Sequence, residues 1–159
     1  MTDQPRLGKC SPTGGGTDGI EGLRVLYADD HPAVRRAVGR LLQVSGASVT
    51  SAHDGLEATE RALAETFDLV VMDVRMPGMD GFEAARALRA GGCRVPLLAV
   101  TVDVTPAVRA NALAAGFDAV LSKPFGIGDL IHALQLVREG PSAEAGIISR
   151  AAKRDAGLP

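Results

Sequence analysis

The chain has 159 residues, of which 46% are hydrophobic and 23% charged, and its net charge is −2, the balance of a soluble globular chain of about one domain. Aromatic residues make up 3% and no dense Lys/Arg run occurs, which weakens any model built on stacking platforms for single-stranded nucleic acid and argues against direct nucleic-acid binding. Cys10 and Cys93 have no metal-type spacing, and no apolar stretch has transmembrane length or the form of a signal-peptide core, so a cytoplasmic protein without a disulfide scaffold or membrane insertion is expected.

Residues 1–22 hold six Gly and two Pro, including "SPTGGGTDG", and read as a flexible N-terminal segment or linker. "GGGTDG" lacks the preceding strand and the Lys-Ser/Thr ending of a phosphate-cradling loop. From Leu23 apolar runs alternate with helical periods. Leu23–Ala28 reads as a strand, and Val34, Val38, Leu41 and Val44 recur at helical spacing. Val49–Ala52 is a second strand. Asp54 followed by Glu57 forms a capping box that opens a helix through Leu63. Phe67–Met72 is a third strand, and Asp80 caps a helix with Phe82, Ala85 and Leu88 on one face. Val95–Val100 is a fourth strand with Pro96 near its start, where proline is tolerated. Thr105-Pro106 reads as N-cap and first residue of a helix closed by Gly116. Ala119–Leu121 is a short fifth strand, and Ile127, Leu130, Leu134 and Val137 line a fifth helix.

Five βα repeats with non-alternating apolar strands imply an α/β domain over residues 23–138, a doubly wound parallel sheet covered on both faces. Residues 139–159 read as a solvated C-terminal tail with a short helix in "SRAAKRDA". Only about twenty residues follow the fifth helix, too few for a DNA-binding or enzymatic output domain.

Ligands of such sheets bind at the carboxyl ends of the strands. There the first strand ends on Asp29 and Asp30, the third on Asp73 and the fourth on Thr101, and the fifth is followed by Ser122, Lys123 and Pro124. With the first and third strands adjacent, three carboxylates crowd one rim and repel. A cation resolves the repulsion, and oxygen-only ligation with room for water suits Mg²⁺ rather than Zn²⁺. A metal, a lysine and a hydroxyl around one carboxylate are the parts for phosphoryl transfer, with Asp73 as nucleophile. His31, before Pro32, reads as an exposed helix-start residue rather than a ligand or base. His53 and His132 read as loop and surface residues, Arg35, Arg36, Arg86 and Arg89 as solvated helix faces, and Met76 and Met79 as loop packing. Pro77-Gly78 is turn chemistry after Asp73.

"VLYADDHPAVRR", "DLVVMDVRMPGMDG", "AVT" and "LSKPF" together resemble the receiver domain of two-component response regulators, from about Leu23 to Arg138 and in that family's order and spacing. The resemblance implies a five-stranded parallel flavodoxin-like sheet in the order 2-1-3-4-5. It implies phosphorylation of Asp73 by a histidine kinase or histidine phosphotransfer protein. It further implies Mg²⁺ held by Asp30, Asp73 and the backbone carbonyl of Arg75, with Asp29 acting through water. Thr101 and Lys123 match the family's phosphoryl contacts, and a cis peptide is expected before Pro124. Output is expected through binding of a partner at the surface of the fourth helix, fifth strand and fifth helix, or through onward phosphoryl transfer. The chain departs from the family at Val120, where an aromatic residue often swings inward on activation; a valine cannot perform that motion. Val102 is bulkier than the alanine common there, and Arg75 projects near the site in relatives.

Other classes fit less well. The chain could serve as the receiver module of a hybrid histidine kinase, with residues 1–22 as an interdomain linker. A haloacid-dehalogenase-type phosphatase needs an Asp-x-Asp pair after the first strand, where this chain has adjacent acids. A flavodoxin-like FMN binder shares the fold, but carboxylates after the first strand repel its phosphate.

Overall fold

The computed structural model describes residues 20–138 and 147–148. The first helical repeat pairs β1 (Arg24–Ala28) with α1 (Pro32–Val44), followed by β2 (Ser48–Ala52) and α2 (Gly55–Ala64). Then come β3 (Leu69–Asp73), α3 (Gly81–Ala90), β4 (Leu97–Thr101), α4 (Pro106–Ala115), β5 (Ala119–Ser122) and α5 (Ile127–Arg138). A further strand, β6 (Ile147–Ile148), lies in the span read as a solvated tail. The core is the expected five-stranded parallel sheet, and β6 extends it to β2-β1-β3-β4-β5-β6. The helix expected in residues 149–156, Cys10 and nearly all of the Gly-rich lead lie outside the described residues.

The helix starts follow local chemistry. Asp54 and Asp80 accept the N–H groups of Glu57 and Glu83 at 2.8 and 2.9 Å, and Thr105 accepts Val108 N–H at 3.3 Å. Each bond satisfies a donor that the first turn leaves orphaned. The capping box at α2 is incomplete: the Glu57 carboxylate turns back past its own cap and accepts from His53 N–H at 2.8 Å. Gly116 closes α4 at φ 117, a left-handed conformation that glycine adopts without penalty. α1 begins differently. Its N-cap is His31, with no side-chain cap, and Pro32 stands in the first turn, so neither Asp29 nor Asp30 is consumed as a cap.

Alternation along the strands sorts the core into two layers. Leu26, Ala28, Val70, Met72, Leu97, Ala99 and Val120 pack with Ala58 and Ala62 of α2, Ala84, Ala85 and Leu88 of α3, and Ala112 and Ala115 of α4. Val25, Tyr27, Leu69, Val71, Leu98, Val100, Ala119 and Leu121 pack with Val38 and Leu42 of α1 and with Leu130, Ala133, Leu134 and Val137 of α5. Small alanines on α2, α3 and α4 let those helices lie close to the sheet. Packing begins ahead of Leu23, because Ile20 is buried in the second layer and Gly22 N–H donates to the Gly46 carbonyl at 2.9 Å.

The strand order reverses between β1 and β3, and this is where a doubly wound sheet opens a crevice. Register then assembles the rim. Ala28 lies opposite Met72, so the next residue on each strand, Asp29 and Asp73, come level. Asp73 lies opposite Val100, and Thr101 opposite Ser122, so Thr101 and Lys123 follow one step on.

Candidate functional site

Asp29 is fully buried and Asp73 is 6% exposed. A buried carboxylate needs donors. Asp29 Oδ2 accepts from Tyr27 Oη at 2.8 Å, and Oδ1 accepts from His31 N–H at 2.9 Å. Tyr27 and Asp29 are two apart on one strand, so their side chains leave the same face, and the phenol reaches the carboxylate directly. Asp73 Oδ1 accepts from Arg75 N–H at 2.9 Å. Lys123 joins the two acids: its Nζ donates to Asp73 Oδ2 at 2.7 Å and to Asp29 Oδ2 at 3.1 Å. The peptide bond after Lys123 is cis, at Lys123-Pro124.

Burial by itself would lower the Lys123 pKa. The hydrogen bonds and charges of Asp73 and then Asp29 outweigh it and hold the ammonium above its ordinary value. Burial, followed by the charge and hydrogen bond of Asp29, pushes the Tyr27 phenol far above its usual range. Tyr27 is thus a fixed neutral donor at the back of the site.

Asp30 is partly exposed beside this buried trio. Ligand atoms of Asp29, Asp30 and His31 all lie within 4.8 Å of one another. His31 is the exposed helix-start residue that was expected, with its Nδ1 3.6 Å from Asp30 Oδ1. Asp73 lies outside that group; Lys123 holds one of its oxygens and Arg75 N–H the other.

Thr101 is buried at the end of β4, and its hydroxyl accepts Asp103 N–H at 3.1 Å. It has the parity of Leu97 and Ala99, which face α3 and α4, so it stands apart from the Asp29–Asp73–Lys123 contacts. A hydroxyl that accepts one bond keeps its own hydrogen to donate. The Arg75 side chain is exposed and pairs with Asp103 at 3.4 Å, which links the loops after β3 and β4. Val102 is 68% exposed and points to solvent. Val120 is fully buried in the α2–α4 layer, level with Ala99.

A cavity of about 560 Å³ opens beside the rim and is lined by Met76, Phe82, Thr101 and Val108 among others. Arg75 also lines it, and neither Asp29 nor Asp73 does. The loop after Asp73 turns at Gly78, φ 75. Gly81 then brings α3 against the strand end so closely that a Cβ there would lie 2.6 Å from the Asp73 carbonyl oxygen.

Two arginines assigned to solvated faces have other positions. Arg35 donates to the Asp29 carbonyl at 2.7 Å. Arg89 reaches the carbonyls of Gly116, Cys93 and Val95 and the carboxylate of Asp118. Arg35 reaches back six residues and Arg89 reaches Gly116 and Asp118 across 27 and 29 residues, and helical periodicity carries no signal for either. Arg36 and Arg86 are exposed, and Met76 and Met79 pack in the loop, as expected. Cys93 lies in a loop, as read, and its thiol is buried.

A parallel doubly wound sheet with acids at the carboxyl ends of β1 and β3, a hydroxyl at the end of β4 and a lysine after β5 defines a class of signalling domain. The response regulator receiver domain family matches residues 25–135, and the chain belongs to that family, a module of two-component signalling. It is 38% identical over 125 residues to the response regulator MprA of Mycobacterium avium, an overlap of 77% of this chain and 55% of the relative. The chain thus spans about half the length of the curated relatives it matches. Among solved structures it is similar to the receiver domain of the sensor histidine kinase PA1611 from Pseudomonas aeruginosa, which was determined with a magnesium ion in its active-site cleft. That match has 34% identity and a TM-score of 0.69, covering 75% of this chain and 99% of that one. The chemotaxis response regulator CheY4 of Vibrio cholerae matches at 36% identity and a TM-score of 0.67, covering 72% and 98%. Among the described residues no helix is long and apolar enough to cross a membrane.

Proposed function

We propose that Asp73 is a phosphoacceptor, phosphorylated in a Mg²⁺-dependent reaction by a histidine kinase or histidine phosphotransfer protein in the cytoplasm. The observation that carries this reading is the single ammonium of Lys123 set between two buried carboxylates, at 2.7 and 3.1 Å, with Asp30 beside them. One cation against three carboxylates leaves a negative rim that favours a second cation. The donors are oxygen atoms with one exposed imidazole, a set that fits Mg²⁺. Asp30, Asp73 and the Arg75 carbonyl would hold the metal, with Asp29 acting through water. When bound, it supplies positive charge for the transferring phosphoryl oxygens.

The chain's own residues do the rest. An Asp73 carboxylate oxygen attacks the phosphorus of a phosphohistidine; the O–P bond forms as the P–N bond breaks, and the imidazole leaves with that electron pair. Lys123 is close enough to follow the charge from the carboxylate to the phosphoryl oxygens. The Thr101 hydroxyl has a hydrogen to donate to them. Phosphorylation adds roughly one further negative charge and three acceptor oxygens at the rim, a change that a protein partner can read at the α4–β5–α5 surface or remove by onward transfer.

Acetyl phosphate with Mg²⁺ should add one phosphate to the chain, read by intact mass, and Asp73→Asn should abolish the adduct. The same adduct on the variant would refute the assignment. Beryllofluoride should bind only with a divalent metal present; metal-independent binding would remove Asp29, Asp30 and Asp73 as its ligands.

A further inference from the structure

β5 closes the five-stranded order with β4 on one side only, and a strand so placed carries a row of unpaired N–H and C=O groups on the other. In this chain that row is occupied. Val120 lies in parallel register with Ile147 and Leu121 with Ile148. α4 packs on one face of the sheet and α5 on the opposite face. The β5 edge therefore runs between the two helices, and β6 lies along the middle of the α4–β5–α5 surface.

We propose that residues 147–148 are an internal ligand of the β5 edge: an autoinhibitory strand that covers the output surface until a partner offering its own extended, β-branched segment displaces it. The inference rests on the reading of α4–β5–α5 as the output surface. Two observations point to a displaceable strand rather than a permanent one. Among the described residues the β5–β6 ladder has two register pairs, whereas β1–β2 has five and β3–β4 has four. The sequence around it, "AEAGIISRAA", offers one β-branched apolar pair among small and charged residues, enough to favour a strand without anchoring a long one. Eight residues separate α5 from β6 in the sequence, so the segment is present near its edge at a high effective concentration. Self-covering also removes an aggregation-prone edge from the resting molecule.

The test uses the full chain and a variant carrying Ile147→Pro and Ile148→Pro, since proline cannot donate to a ladder. Amide hydrogen exchange at the β5 amides facing β6 should be about tenfold faster in the variant, with β1 and β3 unchanged. A synthetic peptide of residues 143–152 should restore that protection to the variant and bind the wild type about tenfold more weakly, because the internal strand competes. Equal β5 exchange in the two proteins, or equal peptide binding, overturns the proposal. Protection in the wild type that is lost on dilution also overturns it, since the strand would then come from a second copy. None of these readouts requires phosphorylated Asp73, so failure here is separable from failure of the Asp73→Asn test.

Discussion

The two ends of the sheet hold charge in opposite ways. At the amino end of β4 and β5, Arg89 donates to Gly116 O at 2.8 Å, to Cys93 O at 3.0 Å, to Val95 O at 2.8 Å and to Asp118 at 3.1 Å. The same Asp118 carboxylate also accepts Leu97 N–H at 2.8 Å. At the carboxyl end, one lysine stands among Asp29, Asp30 and Asp73, and Arg35 turns its guanidinium to a backbone carbonyl rather than to a carboxylate. A structural cluster balances its charge within the chain. The rim does not, and the imbalance is what a metal ion and a phosphoryl group can use. On the proposed function the Arg89 knot is a stability element and the rim a reactive one, and variants can separate the two.

The largest expected effect on stability lies at the balanced end. Arg89→Met keeps the apolar stem but withdraws the donor from three carbonyls and one carboxylate, and should destabilise the fold by about 3 kcal/mol. Urea unfolding would measure it. Below the unfolding transition the variant should still take one phosphate from acetyl phosphate. If phosphorylation fell while stability held, the two ends would not be separable.

Tyr27→Phe probes the boundary between them, because the phenol supports a rim carboxylate from inside the core. Removing the hydroxyl strips one donor from the fully buried Asp29. The expected loss is about 1–2 kcal/mol, seen as a lower urea midpoint with an unchanged slope. Added Mg²⁺ should recover part of it, by mass action on the native state; no recovery would mean that the variant no longer binds the metal and that Tyr27 also organises the rim.

Much of this was legible in the sequence because it depends on local pattern. The strands ended near Asp29, Asp73, Thr101 and Lys123 because apolar runs stop there, and the caps at Asp54, Asp80 and Thr105 are i to i+3 signals. The Lys123–Asp29 contact was not legible. It joins positions 94 residues apart, and only strand register brings them together. Tyr27 was hidden for the same reason: a lone tyrosine in an apolar run reads as core, and its bond to Asp29 follows from side-chain parity at the strand end. Arg89 was misread as solvated because its partners come from the loops after α3 and α4. β6 escaped notice because two apolar residues make no periodic signal, and pairing with an existing edge is a property of the sheet rather than of the segment.

A smaller effect should follow from pH at the rim. Lys123 has its pKa raised in the folded chain by Asp73 and Asp29 acting against its burial. Its proton-linked stabilisation is therefore fully present below the ordinary lysine pKa of about 10.4 and is lost as pH rises through the higher folded value. Without divalent metal, the stability difference between wild type and Lys123→Met should be constant from about pH 7 to 9 and should narrow in the range above about 10.4. A difference that stayed flat there would show that the ammonium contributes by packing alone.

The smallest effect on the fold is expected at Asp30, and it separates the two kinds of charge most cleanly. Its side chain is 29% exposed and its nearest ionic partner is the exposed His31 at 3.6 Å. Asp30→Asn should therefore shift the urea midpoint by no more than about 0.5 kcal/mol in either direction. The same change removes one of the three rim carboxylates and with it an oxygen donor of full charge. Mg²⁺ should then raise the thermal midpoint of the wild type but not of the variant, since only a metal that binds the native state stabilises it. Phosphate uptake from acetyl phosphate at fixed Mg²⁺ should slow by at least about tenfold in parallel. A variant that kept its Mg²⁺ response would place the metal on Asp29 and Asp73 alone. A variant that lost stability without metal would mean that the rim, like the Arg89 knot, is balanced within the chain, and the contrast between the two ends would collapse.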